Sequence, residues 1–102
     1  MNVHHLDAIF QPRHIAVVGA SDEPAKVGGI VLRNLQAGGF PGPLFPINSR
    51  REVVGGLKAW PTLSQLPQVP DLVVVCTPAA TVPGLVRECG ELGVGGLVVL
   101  SA

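Results

Sequence analysis

Three short stretches of the chain hold the residue types from which a phosphate-binding site is built. The first is Gly19-Ala20-Ser21, followed after a polar run by Lys26-Val27-Gly28-Gly29. Glycine at 19 lets a chain turn tightly off a strand, and Gly28-Gly29 let backbone approach a ligand where a helix begins. A helix N-terminus presents unpaired N–H groups and a partial positive charge, which suit a phosphate or diphosphate. Lys26 adds a full charge beside it. The spacing is not Gly-x-Gly-x-x-Gly, and it is not a P-loop, because no Gly-Lys-Ser/Thr follows.

The second stretch is Ile47-Asn48-Ser49-Arg50-Arg51. A domain that binds NAD usually ends its second strand on Asp or Glu, which holds the ribose hydroxyls. Here no carboxylate appears until Glu52. Arginine at such a place meets a phosphate on the ribose instead, through charge-assisted paired hydrogen bonds. NADP carries that phosphate on the 2′ oxygen and coenzyme A on the 3′ oxygen, and the residues by themselves leave both open. The third stretch, Thr77-Pro78-Ala79-Ala80, is small and rigid and leaves room for a flat or linear group. It offers none of the acids or nucleophiles an oxidoreductase would place there, so no catalytic residue is assigned.

The elements that must position these stretches are legible in the apolar pattern. Residues 14–18, 43–47, 72–76 and 97–100 are compact, largely β-branched runs bounded by turn residues, and they read as buried strands. Val27, Ile30, Val31 and Leu35 recur at helical spacing, and Gly38-Gly39 ends that helix. Val82, Leu85, Val86 and Cys89 define a second helix with Pro83 in its first turn and a break from Gly93 to Gly96. Between them, residues 52–70 carry two glycines and three prolines, which excludes a long helix. Val53-Val54-Gly55-Gly56-Leu57 is expected to turn back on itself, and residues 63–66 to make one helical turn.

Continuous apolar strands separated by helices imply an α/β, Rossmann-like, doubly wound parallel sheet. In such a sheet ligands bind outside the carboxyl ends of the strands. Four loops converge there: 19–29, 48–51, 77–80 and 101–102. The sequence stops two residues after the fourth strand, so the expectation is a sheet truncated after that strand, residues 1–102 being the N-terminal part of a larger protein.

Composition narrows the classes. Of 102 residues, 47% are hydrophobic and 14% charged, so either the strands are buried on both faces or another domain covers apolar surface. Seven basic residues balance seven acidic ones, which gives no field to draw nucleic acid or membrane. No apolar run is long enough to span a bilayer, and the N-terminus lacks the pattern of a secretory signal. Cys76 and Cys89 have no zinc-site spacing and sit in apolar patterns, as buried thiols do, so a reduced, cytoplasmic setting is expected.

Residues 6–12 (Leu-Asp-Ala-Ile-Phe-Gln-Pro) followed by 15–21 (Ile-Ala-Val-Val-Gly-Ala-Ser) resemble the opening of NDP-forming (ADP-forming) acyl-CoA synthetases. The same opening occurs in bifunctional proteins that join this module to a GNAT acetyltransferase. Val27-Gly28-Gly29, Gly38-Gly39-Phe40-Pro41-Gly42, Phe45-Pro46-Ile47-Asn48, residues 66–72 and Thr77-Pro78-Ala79 continue the likeness in register over essentially the whole chain.

The resemblance implies a CoA-binding domain like that of the succinyl-CoA synthetase alpha subunit, with ligase and ATP-grasp domains elsewhere in the protein. It implies that Ser21 and the backbone near Val27 and Gly28 hold the CoA diphosphate or pantetheine, with Gly19, Ala20 and Lys26 beside them. The family often shows Asn-Pro-Lys after the second strand, and Asn48-Ser49-Arg50 departs from it. Arg50 is then the best match for the lysine and Arg51 the second. Thr77, Pro78 and Ala79 would line the pantetheine path, and Ser101 would lie beside the thiol. The family's phosphorylated histidine belongs to the following domain, and His4, His5 and His14 match nothing of that kind. Trp60 stands where the family tends to have an aromatic residue and is read as packing the irregular segment onto the sheet. The rival readings are a stand-alone CoA-binding protein without catalysis and an NADP-binding redox or sensor domain.

Overall fold

The computed structural model describes residues 8–100. Its centre is a four-stranded parallel sheet made of β1 (Ile15–Val18), β2 (Leu44–Ile47), β5 (Leu72–Val75) and β6 (Gly96–Val99), in the order β2-β1-β5-β6. The two middle strands are buried along their whole length, which is why they read as unbroken apolar runs and not as alternating ones. Helix α1 (Val27–Ala37) carries the chain from β1 to β2, and α2 (Val82–Leu92) carries it from β5 to β6. The chain leaves β1 in one direction for β2 and then returns past it to β5. The β1–β5 junction is therefore the switch point of the sheet.

The side chains divide cleanly between the two faces. Ile15, Val17, Leu72 and Val74 pack with Leu32 of α1, whereas Ala16, Val18, Val73 and Val75 pack with Cys89 of α2. This is the period-two alternation of a strand feeding two layers. No charged or polar side chain is buried among the described residues.

The segment expected to turn back does so. β3 (Val53–Val54) and β4 (Leu57–Lys58) form an antiparallel hairpin, Gly55 and Gly56 both taking positive φ (60° and 74°) as a two-residue primed turn requires. A 3-10 turn at Leu63–Gln65 supplies the expected helical turn. The hairpin is held through both backbone polar groups of Gly55. Gly55 donates its N–H to Asp22 Oδ1 at 2.8 Å, and Gln36 Nε2 donates to Gly55 O at 2.8 Å.

Register does the positioning. Val18 is paired with Ile47 and with Val75, and Val75 with Val99, so the four strands end flush. The ladder runs one residue further, through Gly19 N–H to Ile47 O (3.1 Å), Cys76 N–H to Val18 O (2.9 Å) and Leu100 N–H to Val75 O (2.8 Å). Residues 19, 48, 76 and 100 therefore leave the sheet side by side along one edge. The opposite edge is pinned by Asp71, whose Oδ2 accepts from Arg13 N–H (2.8 Å) and Arg13 Nε (3.2 Å) while its own N–H donates to His14 Nδ1 (2.8 Å). His14 thereby takes a structural part at this edge; His4 and His5 lie outside the described residues.

Candidate ligand-binding site

The loop after β1 is built by close approach. Gly19 has φ +83°, and a Cβ on it would lie 2.9 Å from Thr77 Cγ2 and 3.2 Å from the Cys76 carbonyl. A Cβ on Gly28 would fall 1.9 Å from Gly19 O, and one on Gly29 would fall 2.6 Å from Glu23 O and 2.9 Å from Ser21 O. The sequence reading gave these helix glycines to a ligand. The geometry gives them first to the loop itself, which folds back over the start of α1 with no room for a side chain between them. Gly28 and Gly29 are accordingly buried.

This packing sets the helix N-terminus against the loop. The first intrahelical bonds run from Gly29 and Ile30 to Lys26 O, at 3.1 and 3.0 Å, so the N–H groups of Val27 and Gly28 precede them as helix starts dictate. Ser21 Oγ accepts from Glu23 N–H at 3.0 Å and keeps its own proton to donate. Lys26 Nζ lies 3.4 Å from Glu23 Oε2, both side chains 65% exposed, a surface pair weak enough to be exchanged for a bound anion.

Asn48 joins the first two loops. Its Nδ2 donates to Ala20 O at 3.0 Å, and its Oδ1 accepts from the N–H groups of Arg50 (2.8 Å) and Arg51 (3.0 Å). The side chain is thus committed to the protein, and its effect is to turn the chain so that Arg50 and Arg51 stand at the mouth. Neither arginine makes an ion pair within 4.0 Å among the described residues.

On the third loop, Thr81 Oγ1 donates to Pro78 O at 2.6 Å and therefore receives the Thr77 hydroxyl proton, also at 2.6 Å. Thr77 Oγ1 is left with acceptor capacity, which matches an amide N–H better than a phosphate oxygen. Burial pushes the Cys76 thiol above its ordinary pKa, and burial and then Glu88 do the same to Cys89. Both cysteines are free thiols of low reactivity.

Adjoining cavities follow the carboxyl edge. One of about 660 Å³ lies between the loop after β2 and the hairpin, with Arg50, Arg51, Glu52 and Lys58 in its wall. It shares Asn48, Ser49, Arg50 and Pro61 with a second of about 440 Å³, which Gly19, Ala20, Ser21, Lys26 and Thr77 complete. A small recess of about 170 Å³ opens between Ser21, Lys26 and the two arginines. The second cavity shares Lys26 and Thr77 with a groove of about 330 Å³, lined also by Val27, Cys76, Pro78 and Leu100. Together they make a trough across all four strand ends, cationic at the β2 end and with Lys26 the only charged wall residue of the groove toward β6.

Most of the residues singled out in the sequence meet in this trough: Gly19, Ala20, Ser21, Lys26, Val27, Asn48, Arg50, Arg51, Thr77 and Pro78. Gly28 lies beneath it, packed on Gly19. Ala79 is exposed at the start of a 3-10 turn, Ala79–Thr81, and is not part of these walls. Ser101 lies outside the described residues. Sequence reasoning missed Lys58 and Leu100 as wall residues and Asp22 as the anchor of the hairpin. Lys58 and Asp22 come to the site only through the fold of the hairpin, which no local pattern announces.

The family model described as the CoA binding domain matches residues 13–102. The chain belongs to this CoA-binding domain family. The domain is 41% identical over 97 residues to the alpha subunit of an ADP-forming acetate–CoA ligase II from Pyrococcus furiosus, a match that covers 95% of this chain and 21% of that protein. It is 35% identical over 97 residues to the ADP-forming acetate–CoA ligase I of Archaeoglobus fulgidus, covering 95% and 14%. Among solved structures it is similar to the dinucleotide-forming acetyl-coenzyme A synthetase 1 of Candidatus Korarchaeum cryptofilum in complex with phosphate and ADP. There the identity is 41%, the TM-score 0.90, and the coverage 95% of this chain and 21% of that one. The domain thus spans about a fifth or less of the length of these relatives. Its Rossmann-like parallel sheet is the fold they share with it. The NADP alternative gains no support from any of these likenesses. Among the described residues no helix is long and apolar enough to cross a membrane.

Proposed function

We propose that the chain is the CoA-binding domain of an ADP-forming acyl-CoA synthetase, and that the trough holds coenzyme A along its length. The observation that carries this reading is the polarity of the trough. Two unpaired arginines stand at one end, a helix N-terminus with Ser21 and Lys26 at the middle, and a groove past Thr77 and Pro78 with no other charged wall residue than Lys26 at the other. Coenzyme A has the same order of parts: a 3′-phosphorylated nucleotide, a diphosphate, and a pantetheine arm with two amides.

In this reading Arg50 and Arg51 meet the 3′-phosphate, and the Val27 and Gly28 N–H groups, Ser21 and Lys26 meet the diphosphate. Thr77 Oγ1 accepts from a pantetheine amide as the arm passes Pro78 and Ala79 toward Ser101. Coenzyme A supplies the thiol that receives the acyl group. The domain contributes binding and orientation, which is catalysis by positioning. Ligase and ATP-grasp domains of the same protein would carry the acyl-phosphate chemistry, in the cytoplasm, where both cysteines stay reduced. A parent with a fused GNAT acetyltransferase would use the domain in the same way.

Titration calorimetry with coenzyme A and dephospho-CoA tests the assignment. Coenzyme A is expected to bind more tightly, and Arg50→Ala to remove most of the difference. Equal affinity of the unaltered chain for the two ligands, or a preference for NADP over coenzyme A, overturns it.

A further inference from the structure

The cavity between the β2 loop and the hairpin concentrates charge in a chain that has no net charge. Seven basic residues balance seven acidic ones overall. Yet Arg50, Arg51 and Lys58 all line this one cavity, against the single carboxylate of Glu52. None of the three cations makes an ion pair within 4.0 Å among the described residues. A phosphate monoester carries about −1.5 to −2 at neutral pH, which is close to what this wall offers in excess.

Lys58 is held in an unusual way. Its ammonium lies 4.1 Å from the centroid of the Trp60 ring. Trp60 itself is fixed: its N–H donates to Pro46 O at 2.9 Å, its carbonyl accepts from Asn48 N–H at 3.0 Å, and residue 60 bridges to Ile47 beside β2. Its ring packs on the α2 face of the core. Lys58 is on the exposed side of β4, with a four-carbon stem that swings freely. Lys58 is exposed and Trp60 half-buried, so the cation is held only weakly on the ring and a phosphate entering beside Arg50 and Arg51 outcompetes the ring for it.

We infer that Lys58 is a specificity-determining residue, a third cation that leaves the face of Trp60 to bind the 3′-phosphate of the ligand. The inference rests on the assignment of the trough to coenzyme A. It adds a residue outside the three loops on which that assignment stands.

The test uses the full chain, coenzyme A, dephospho-CoA and the variants Lys58→Gln and Lys58→Arg. Lys58→Gln keeps most of the stem and removes the charge, and it is expected to weaken coenzyme A about five- to tenfold while changing dephospho-CoA less than about twofold. Lys58→Arg restores the preference. Trp60 is the only tryptophan of the chain, so its emission reads the departure of Lys58 directly. Coenzyme A is expected to change the emission beyond the change dephospho-CoA produces, and Lys58→Gln to abolish that excess. Equal weakening of both ligands by Lys58→Gln, an unchanged preference, or identical emission changes for the two ligands refutes the role of Lys58. If Arg50→Ala removes the preference while Lys58→Gln leaves it, the trough assignment stands and only this inference falls. If the unaltered chain does not distinguish the two ligands, the assignment fails and takes the inference with it.

Discussion

Gly28→Ala separates the loop-packing account of the helix glycines from a ligand-only account. The new methyl would lie 1.9 Å from Gly19 O and 2.7 Å from Gly19 C, both backbone atoms. To restore an ordinary contact of 3.4 Å the loop and helix must part by about 1.5 Å. Overpacking of this kind costs about 3 kcal/mol, at the upper end because no flexible side chain can yield. Alanine recovers about 1 kcal/mol in helix propensity. The net loss is about 2 kcal/mol, a fall in Tm of roughly 10 °C for a domain of this size. Gly90→Ala makes the same chemical change on an exposed position of α2 where an added Cβ meets nothing within 4 Å. It should raise stability by about 0.5–1 kcal/mol. Urea unfolding of the two variants, without ligand, is the assay. Gly28→Ala as stable as the unaltered chain would refute the packing argument at this position and return Gly28 to a purely ligand-binding role.

Three further outcomes follow from the geometry. Asn48→Ala removes three hydrogen bonds, one joining the loops after β1 and β2 and two shaping the β2 loop at Arg50 and Arg51, so stability should fall by about 1–3 kcal/mol and coenzyme A affinity with it; a variant that keeps both contradicts the bridging role. The Asp71 carboxyl is raised by burial but lowered further by its hydrogen bonds from Arg13 and the charges of His14 and Arg13, so its folded pKa lies below the ordinary value. The stabilisation is therefore complete above the unfolded pKa and is lost as pH falls through the folded one, so the advantage over Asp71→Asn in urea unfolding should shrink steadily below about pH 4; a gap independent of pH rules this out. Coenzyme A should slow alkylation of Cys76, which lines the groove toward β6, and leave Cys89 unchanged; mass spectrometry of the labelled thiols reads both, and an unprotected Cys76 contradicts the path of the pantetheine arm.

The sheet was legible because its middle strands are buried on both faces. Ile15–Val18 and Leu72–Val75 had to be continuous apolar runs, and the period of α1 and α2 followed from having one buried face each. Loop placement followed from the rule that ligands gather at the carboxyl ends. What was not legible is how the loops are joined. Asn48 reaches Ala20 across 28 residues, and Asp22 reaches Gly55 across 33, and neither contact leaves a trace in local spacing. Gly28 was read as room for a ligand because a glycine at a helix start has two physical uses, and only the position of Gly19 O decides between them. Lys58 carries no local signal of a site, and only the hairpin sets it in one wall with Arg50 and Arg51.

A crystal structure of the chain with coenzyme A tests the central claim most directly. The nucleotide is expected between the arginines and the β3–β4 hairpin, the diphosphate against Ser21 and the start of α1, and the thiol arm beyond Thr77 toward Leu100. A ligand running the other way along the strand ends, or seated away from them altogether, would contradict the account.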